Sequence, residues 1–153
     1  MPLKTDPATL NRSIGPDRQQ VDYLILSDEE RSKGFVRPVR NVYRHIGIAG
    51  PTHPLRELTP EELERYRRFD YVKFEIYGKD EDPCTGRFWT QAQLDAIDKG
   101  CGTDTRMGQR LAETYARQPD FYGATFCARC GTHLPVGAAG EFIWVPDGTR
   151  VGT

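Results

Sequence analysis

Phe126-Cys127-Ala128-Arg129-Cys130-Gly131 is the stretch around which the rest of the chain is read. Two thiols at C-x-x-C spacing followed by glycine form the signature of a zinc knuckle, a tight turn whose backbone leans toward a metal held by both sulfurs. Glycine suits the last position because it takes positive φ at little steric cost. The sequence holds four cysteines, and the other two are Cys84 and Cys101. Cys84 sits in a Pro-Cys-Thr-Gly turn and Cys101 between two glycines, settings in which backbone can bend around an ion. A site of Cys84, Cys101, Cys127 and Cys130 uses every thiol, and four protein ligands close a structural Zn2+ site.

At 153 residues the chain has the length of one ordinary domain, yet only 37% of it is hydrophobic, with 15 glycines and 11 prolines. That composition predicts short elements, much irregular chain and a modest core, to which a bound metal adds folding free energy. Two disulfides are the competing use of four cysteines. They suit secreted proteins, whereas Met1-Pro2-Leu3-Lys4-Thr5-Asp6-Pro7 lacks the apolar run of a signal peptide. The expectation is an intracellular protein with no membrane partner, since no stretch approaches the roughly 18 apolar residues of a span.

A net charge of -1 weighs against wholesale attraction to nucleic acid. Residues 31–56 nevertheless carry Arg31, Lys33, Arg37, Arg40, Arg44 and Arg56 with no acid among them. Such a block is ordinarily a solvated face. Its functional reading is a docking patch for phosphate or an acidic partner, presented by Arg37, Arg40 and Arg44.

Along the chain, residues 1–20 hold several prolines and few large apolar side chains, which predicts a flexible N-terminal arm. Residues 21–153 then read as a single domain. Ser27 and Glu30 have capping-box spacing for a stretch of about two helical turns that Gly34 would stop. Residues 35–46 alternate, with Val36, Val42 and Ile46 among arginines, as an extended segment interrupted at Pro38. Three short helices are expected: Thr59 caps the first to about Arg68, Thr90 the second to Lys99, and the third covers residues 106–117. Residues 71–77 form a half-buried strand, with Val72, Phe74 and Ile76 on one face and Tyr71, Lys73, Glu75 and Tyr77 on the other. The tail reads as strand and turn around the knuckle.

Of the three histidines, His133 is the substitute ligand, placed just past the knuckle where it could replace Cys84. His45 and His53 lie among basic and loop residues and read as surface. Neither H-E-x-x-H nor G-x-S-x-G nor a phosphate or dinucleotide loop occurs. Redox use of the C-x-x-C would require it to open a helix, and strand-like residues flank it instead. Catalysis, by zinc or by thiol redox, is the weaker class.

The tail as a whole resembles the end of small zinc-ribbon-like proteins encoded in bacteriophage and prophage genomes. Residues 121–130 carry the resemblance, with His133-Leu134-Pro135-Val136, Glu141-Phe142 and Asp147-Gly148-Thr149-Arg150-Val151-Gly152. It extends back through Tyr43-Arg44-His45, Arg87-Phe88-Trp89-Thr90 and Cys101-Gly102-Thr103. It implies a phage-borne accessory protein with a zinc site, in the host cytoplasm or the virion, and brings no activity. The expected fold is α+β, a small antiparallel sheet with three short helices and a C-terminal zinc-ribbon-like knuckle. The expected function is non-enzymatic binding, with protein partners favoured by the net charge and a nucleic-acid-binding zinc ribbon using residues 31–56 as the alternative.

Overall fold

The computed structural model describes residues 3–78 and 85–153. It begins with a short parallel pair, β1 (Leu3–Lys4) beside β2 (Tyr23–Leu24). The stretch read as a loose arm is therefore tied down, and buried Asp22 shows why. Its carboxylate meets the Lys4 ammonium at 2.8 Å and accepts the Asn11 amide at 2.8 Å. A carboxylate is buried at tolerable cost only when its oxygens are matched in this way. The Ser27 stretch is a true helix, α1 (Asp28–Ser32), whose first turn is held by the Ser27 hydroxyl accepting the Glu30 amide. It raises the α-helices among the described residues to four, where three are expected. Of residues 35–46, only β3 (Val42–His45) is a strand.

Contacts divide the chain into two compact units, Met1–Gly47 with Gly100–Thr153, and Ile48–Lys99. The second unit holds β4 (Leu55–Glu57), α2 (Pro60–Arg65), β5 (Tyr71–Ile76), β6 (Gly86–Thr90) and α3 (Gln91–Asp95). Its strands form an antiparallel sheet in the order β4-β5-β6. Both helix starts carry the full capping box, Thr59 with Glu62 and Thr90 with Gln93. Both helices end earlier than expected. A 3-10 turn at Arg67–Phe69 and Asp70 at φ 58° turn the first toward β5, while α3 stops at Asp95. Strand β5 departs from simple alternation, because Glu75 is buried beside Phe74. Its carboxylate accepts Trp89 Nε1–H at 2.8 Å and the amides of Thr52 and His53 at 2.9 and 3.1 Å. Burial opposes its charge, but these donors hold its pKa below the usual range.

The first unit resumes with β7 (Asp104–Arg106), α4 (Gln109–Arg117), the hairpin β8 (Ala124–Cys127) and β9 (Thr132–Pro135), and β10 (Phe142–Trp144). Strand β3 is central in a second antiparallel sheet, β10-β3-β7. Pairing with β3 claims residues 104–106 for a strand, so the third expected helix starts later, at Gln109 with Gly108 as its N-cap. Helix α4 buries Leu111, Ala112, Tyr115 and Ala116, and its Thr114 hydroxyl donates to the Leu24 carbonyl at 2.7 Å. The core is aromatic. Tyr43 meets Phe142 and Trp144 edge-on at 5.3 and 6.1 Å, and Tyr115 meets Trp144 at 5.7 Å. Together these elements make a mixed α/β fold of small, mostly antiparallel sheets. Among the described residues no helix is long and apolar enough to cross a membrane.

Candidate metal centre

Strand β3 alternates in the opposite phase from the one Val42 suggests. Tyr43 and His45 point inward and are buried, while Val42 and Arg44 are only half-covered. A one-residue change of phase exchanges the two faces of a strand, and here it carries His45 to the end of β3 beside the sheet partner Phe142. The imidazole packs on the Phe142 ring at 5.1 Å.

Across from it stand three thiols. Cys127 ends β8 and is fully buried, and Cys130 lies in the following turn, closed by the Gly131 amide donating to the Cys127 carbonyl at 2.8 Å. Gly131 has φ 66°, as the turn requires. Cys101 arrives on the segment leading to β7. The chain there passes so close to β3 that a Cβ on Gly100 would lie 2.1 Å from the His45 carbonyl oxygen, so only glycine fits.

The Sγ atoms of Cys101 and Cys127 are 3.5 Å apart, and Cys130 Sγ is 3.5 Å from His45 Nδ1. One ligand atom from each of His45, Cys101, Cys127 and Cys130 lies within 4.8 Å of all the others. These four side chains could hold a metal ion. Behind the imidazole, Nε2 is 2.9 Å from Glu141 Oε1. Nε2–H donates to that carboxylate, which leaves the Nδ1 lone pair facing the sulfurs, where the Cys101 amide also approaches at 3.2 Å. A carboxylate behind a metal-facing histidine is the usual device for fixing tautomer and ring orientation.

The cluster's charge is strongly uneven. At Cys101 burial opposes ionisation, but the Thr103 backbone and the contact with the His45 ring bring the thiol down to about 6. Burial and the neighbouring sulfurs push Cys130 up to about 11. One thiolate is easy and a second beside it is costly, the situation that a bound cation relieves. For His45, burial opposes the charged form, but the Glu141 and Cys101 contacts outweigh it and raise the pKa.

The remaining predicted site residues fall elsewhere. Cys84 lies outside the described residues. His133 is not in the cluster: its Nε2 is 3.2 Å from the Tyr23 hydroxyl. Hairpin register explains this, since Thr132 is opposite Cys127 and His133 opposite Phe126, so His133 faces the other way. Arg40 is buried, with Nη1 donating to Asp147 Oδ2 at 2.8 Å and to Thr149 Oγ1 at 2.7 Å, and its guanidinium lies 5.0 Å from the Trp144 ring centre. Arg44 pairs with Asp104 at 2.7 Å across the β3–β7 ladder. Arg37 is exposed and donates to the Thr153 carbonyl at 3.2 Å. Sequence reasoning missed His45 as a ligand. Its signal was the shared phase of Tyr43 and His45 on one short strand.

Compared with the known protein families, the curated proteins and the solved structures, the chain matches none.

Proposed function

We propose that this chain is a non-enzymatic binding or accessory protein whose first unit is held together by a structural zinc ion on His45, Cys101, Cys127 and Cys130. The observation that carries the proposal is the convergence of three thiols and one imidazole within 4.8 Å. Tetrahedral bonds of about 2.3 Å to sulfur and about 2.0 Å to nitrogen imply ligand separations of about 3.5–3.8 Å. The 3.5 Å S···S and S···N distances fit that figure. Sulfur-rich donor sets with one imidazole suit Zn2+ over harder cations. Four protein ligands also leave no coordination position for water, which supports a structural role over a catalytic one. Zinc when bound would neutralise the crowded thiolates, and Glu141 would hold the imidazole in its ligating orientation.

Acting through protein contacts is the favoured mode. Arg40 and Arg44, two of the three arginines that would present a phosphate-binding face, are engaged by Asp147 and Asp104. The likeness of the tail to phage-borne zinc-ribbon-like proteins supports an accessory role.

Elemental analysis of purified protein tests the metal. The expected result is about one zinc per chain, lost in Cys127→Ser and His45→Ala and retained in Cys84→Ser. Retention of full zinc in His45→Ala, or its loss in Cys84→Ser, would overturn this ligand set.

A further inference from the structure

The thiols of the cluster differ in how they face solvent. Cys127 is fully buried at the end of β8, whereas Cys101 is exposed between Gly100 and Gly102. Glycines on both sides leave Cys101 without adjacent side chains to shield it, and a Cβ on Gly102 would meet open space. Cys130 is also exposed, but its turn is braced and overhung. Its amide donates to Cys127 Sγ at 3.5 Å, and Arg18 Nη1 lies 3.4 Å from where a Cβ on Gly131 would be. A small reagent arriving from solvent therefore has its open approach at Cys101.

Cys101 and Cys127 lie 26 positions apart in the chain, yet their Sγ atoms are 3.5 Å apart. That spacing suits two uses. It fits two sulfurs on one tetrahedral ion. It is also only about 1.5 Å longer than a disulfide bond, a gap within reach of rotation about the two Cα–Cβ bonds. The two uses exclude each other, because a sulfur spent in a disulfide is no longer a thiolate ligand. His45 and Cys130 would then be left as half of a four-ligand set.

We propose that Cys101 is an oxidation site for hydroperoxides, and that it closes a disulfide with Cys127 which expels the metal. The expelled ion rests on the proposed zinc site; the pairing of the two thiols does not. In the first step the Cys101 thiolate attacks hydrogen peroxide: an S–O bond forms, the O–O bond breaks, and hydroxide leaves. In the second the Cys127 thiolate attacks the Cys101 sulfur: the S–S bond forms, the S–O bond breaks, and a second hydroxide leaves. Two thiolates give up two electrons, one peroxide takes them, and Zn2+ departs with its charge balanced by the two hydroxides. The disulfide joins the same segments that the ion joins, so the oxidised chain keeps the tie between residues 100–103 and the β8–β9 turn while losing the metal.

The test treats the full chain, at measured zinc content, with about one equivalent of hydrogen peroxide at neutral pH, alongside Cys84→Ser. A chromophoric chelator reads the zinc released, and peptide mapping by mass spectrometry without reduction reads the disulfide. About one zinc should be lost per Cys101–Cys127 disulfide in both chains, and dithiothreitol with added zinc should reverse it. The oxidised chain should retain its near-ultraviolet dichroism. With dimedone present during oxidation, the label should fall on Cys101. A disulfide between Cys127 and Cys130 or one that uses Cys84, zinc retained after the disulfide has formed, a label on Cys130, or thiols left reduced would each overturn the proposal. A chain that purifies without zinc refutes the metal reading instead, and peptide mapping then still decides the oxidation site.

Discussion

His45 concentrates the chemistry of the first unit in one side chain. Its Nδ1 faces three sulfurs while its Nε2 is committed to Glu141, so the carboxylate decides which nitrogen is free to ligate. Removing that support should weaken the ion without removing a ligand. Glu141→Gln is expected to lower zinc affinity about 10- to 100-fold, measured by competition with a chromophoric chelator, with the metal-loaded circular dichroism unchanged. An unchanged affinity would mean that Glu141 does not orient the ring. Gly100 acts on the same site through backbone. A Cβ placed 2.1 Å from the His45 carbonyl oxygen must push β3 and the Cys101 segment apart. Gly100→Ala should therefore purify with substoichiometric zinc and a melting temperature lowered by several degrees, as loss of more than about 1 kcal/mol predicts. Full zinc at an unchanged melting temperature would refute the close approach.

Helices α2 and α3 are each only one to two turns long, too short to persist without caps and packing. In α2 one residue serves twice. Glu62 closes the box onto the Thr59 amide at 2.9 Å, and its carboxylate also receives both Arg56 Nη atoms at 2.7 and 3.0 Å. The Arg56 hydrogen bonds, working against some burial, bring its pKa from 4.5 to about 2. A carboxyl depressed on folding contributes stability above its unfolded pKa, and the contribution is lost as pH falls through the folded one. Amide exchange of residues 60–65 should accordingly accelerate between about pH 4.5 and 2. Glu62→Gln retains the box geometry but loses the ion pair, so it should exchange faster than the native chain at pH 7 and converge with it near pH 2. Identical profiles for the two chains would show that the Arg56 pair contributes nothing to α2.

The two units meet the metal question differently. Ile48–Lys99 has its own sheet and capped helices, whereas the ligands belong to the other unit and bracket the inserted one, His45 just before it and Cys101 just after. An ion on these residues would join entry and exit of the insertion and tie both to the β8–β9 turn. Cross-linking segments distant in sequence restricts the unfolded chain most, and metal bound only by the folded form is folding free energy. Chelation at neutral pH should therefore abolish the near-ultraviolet dichroism of the Tyr43, Phe142 and Trp144 cluster. Limited proteolysis should then cut first around residues 100–103, with a stability loss of several kcal/mol. Survival of the fold with unchanged proteolysis after metal removal would sink the structural role.

Features decided within a few residues were legible from the chain alone. The Cys127–Gly131 turn and the boxes at Thr59 and Thr90 all appear in place, because each is a contact between near neighbours whose geometry the backbone itself imposes. Everything that depended on what lies across a strand waited for the tertiary structure. The phase of β3 follows from Phe142 and Trp144 arriving from residues 142–144, and with it His45 exchanges surface for the thiol cluster. Residues 104–106 have helical neighbours in sequence, yet β3 offers them a ladder. Arg40 belongs to a basic run by composition, and only the return of the tail brings Asp147 and Trp144 to it. The physical reason is common to all three. Side-chain direction in a strand and the partner of a charge are fixed by long-range pairing, which local spacing does not encode.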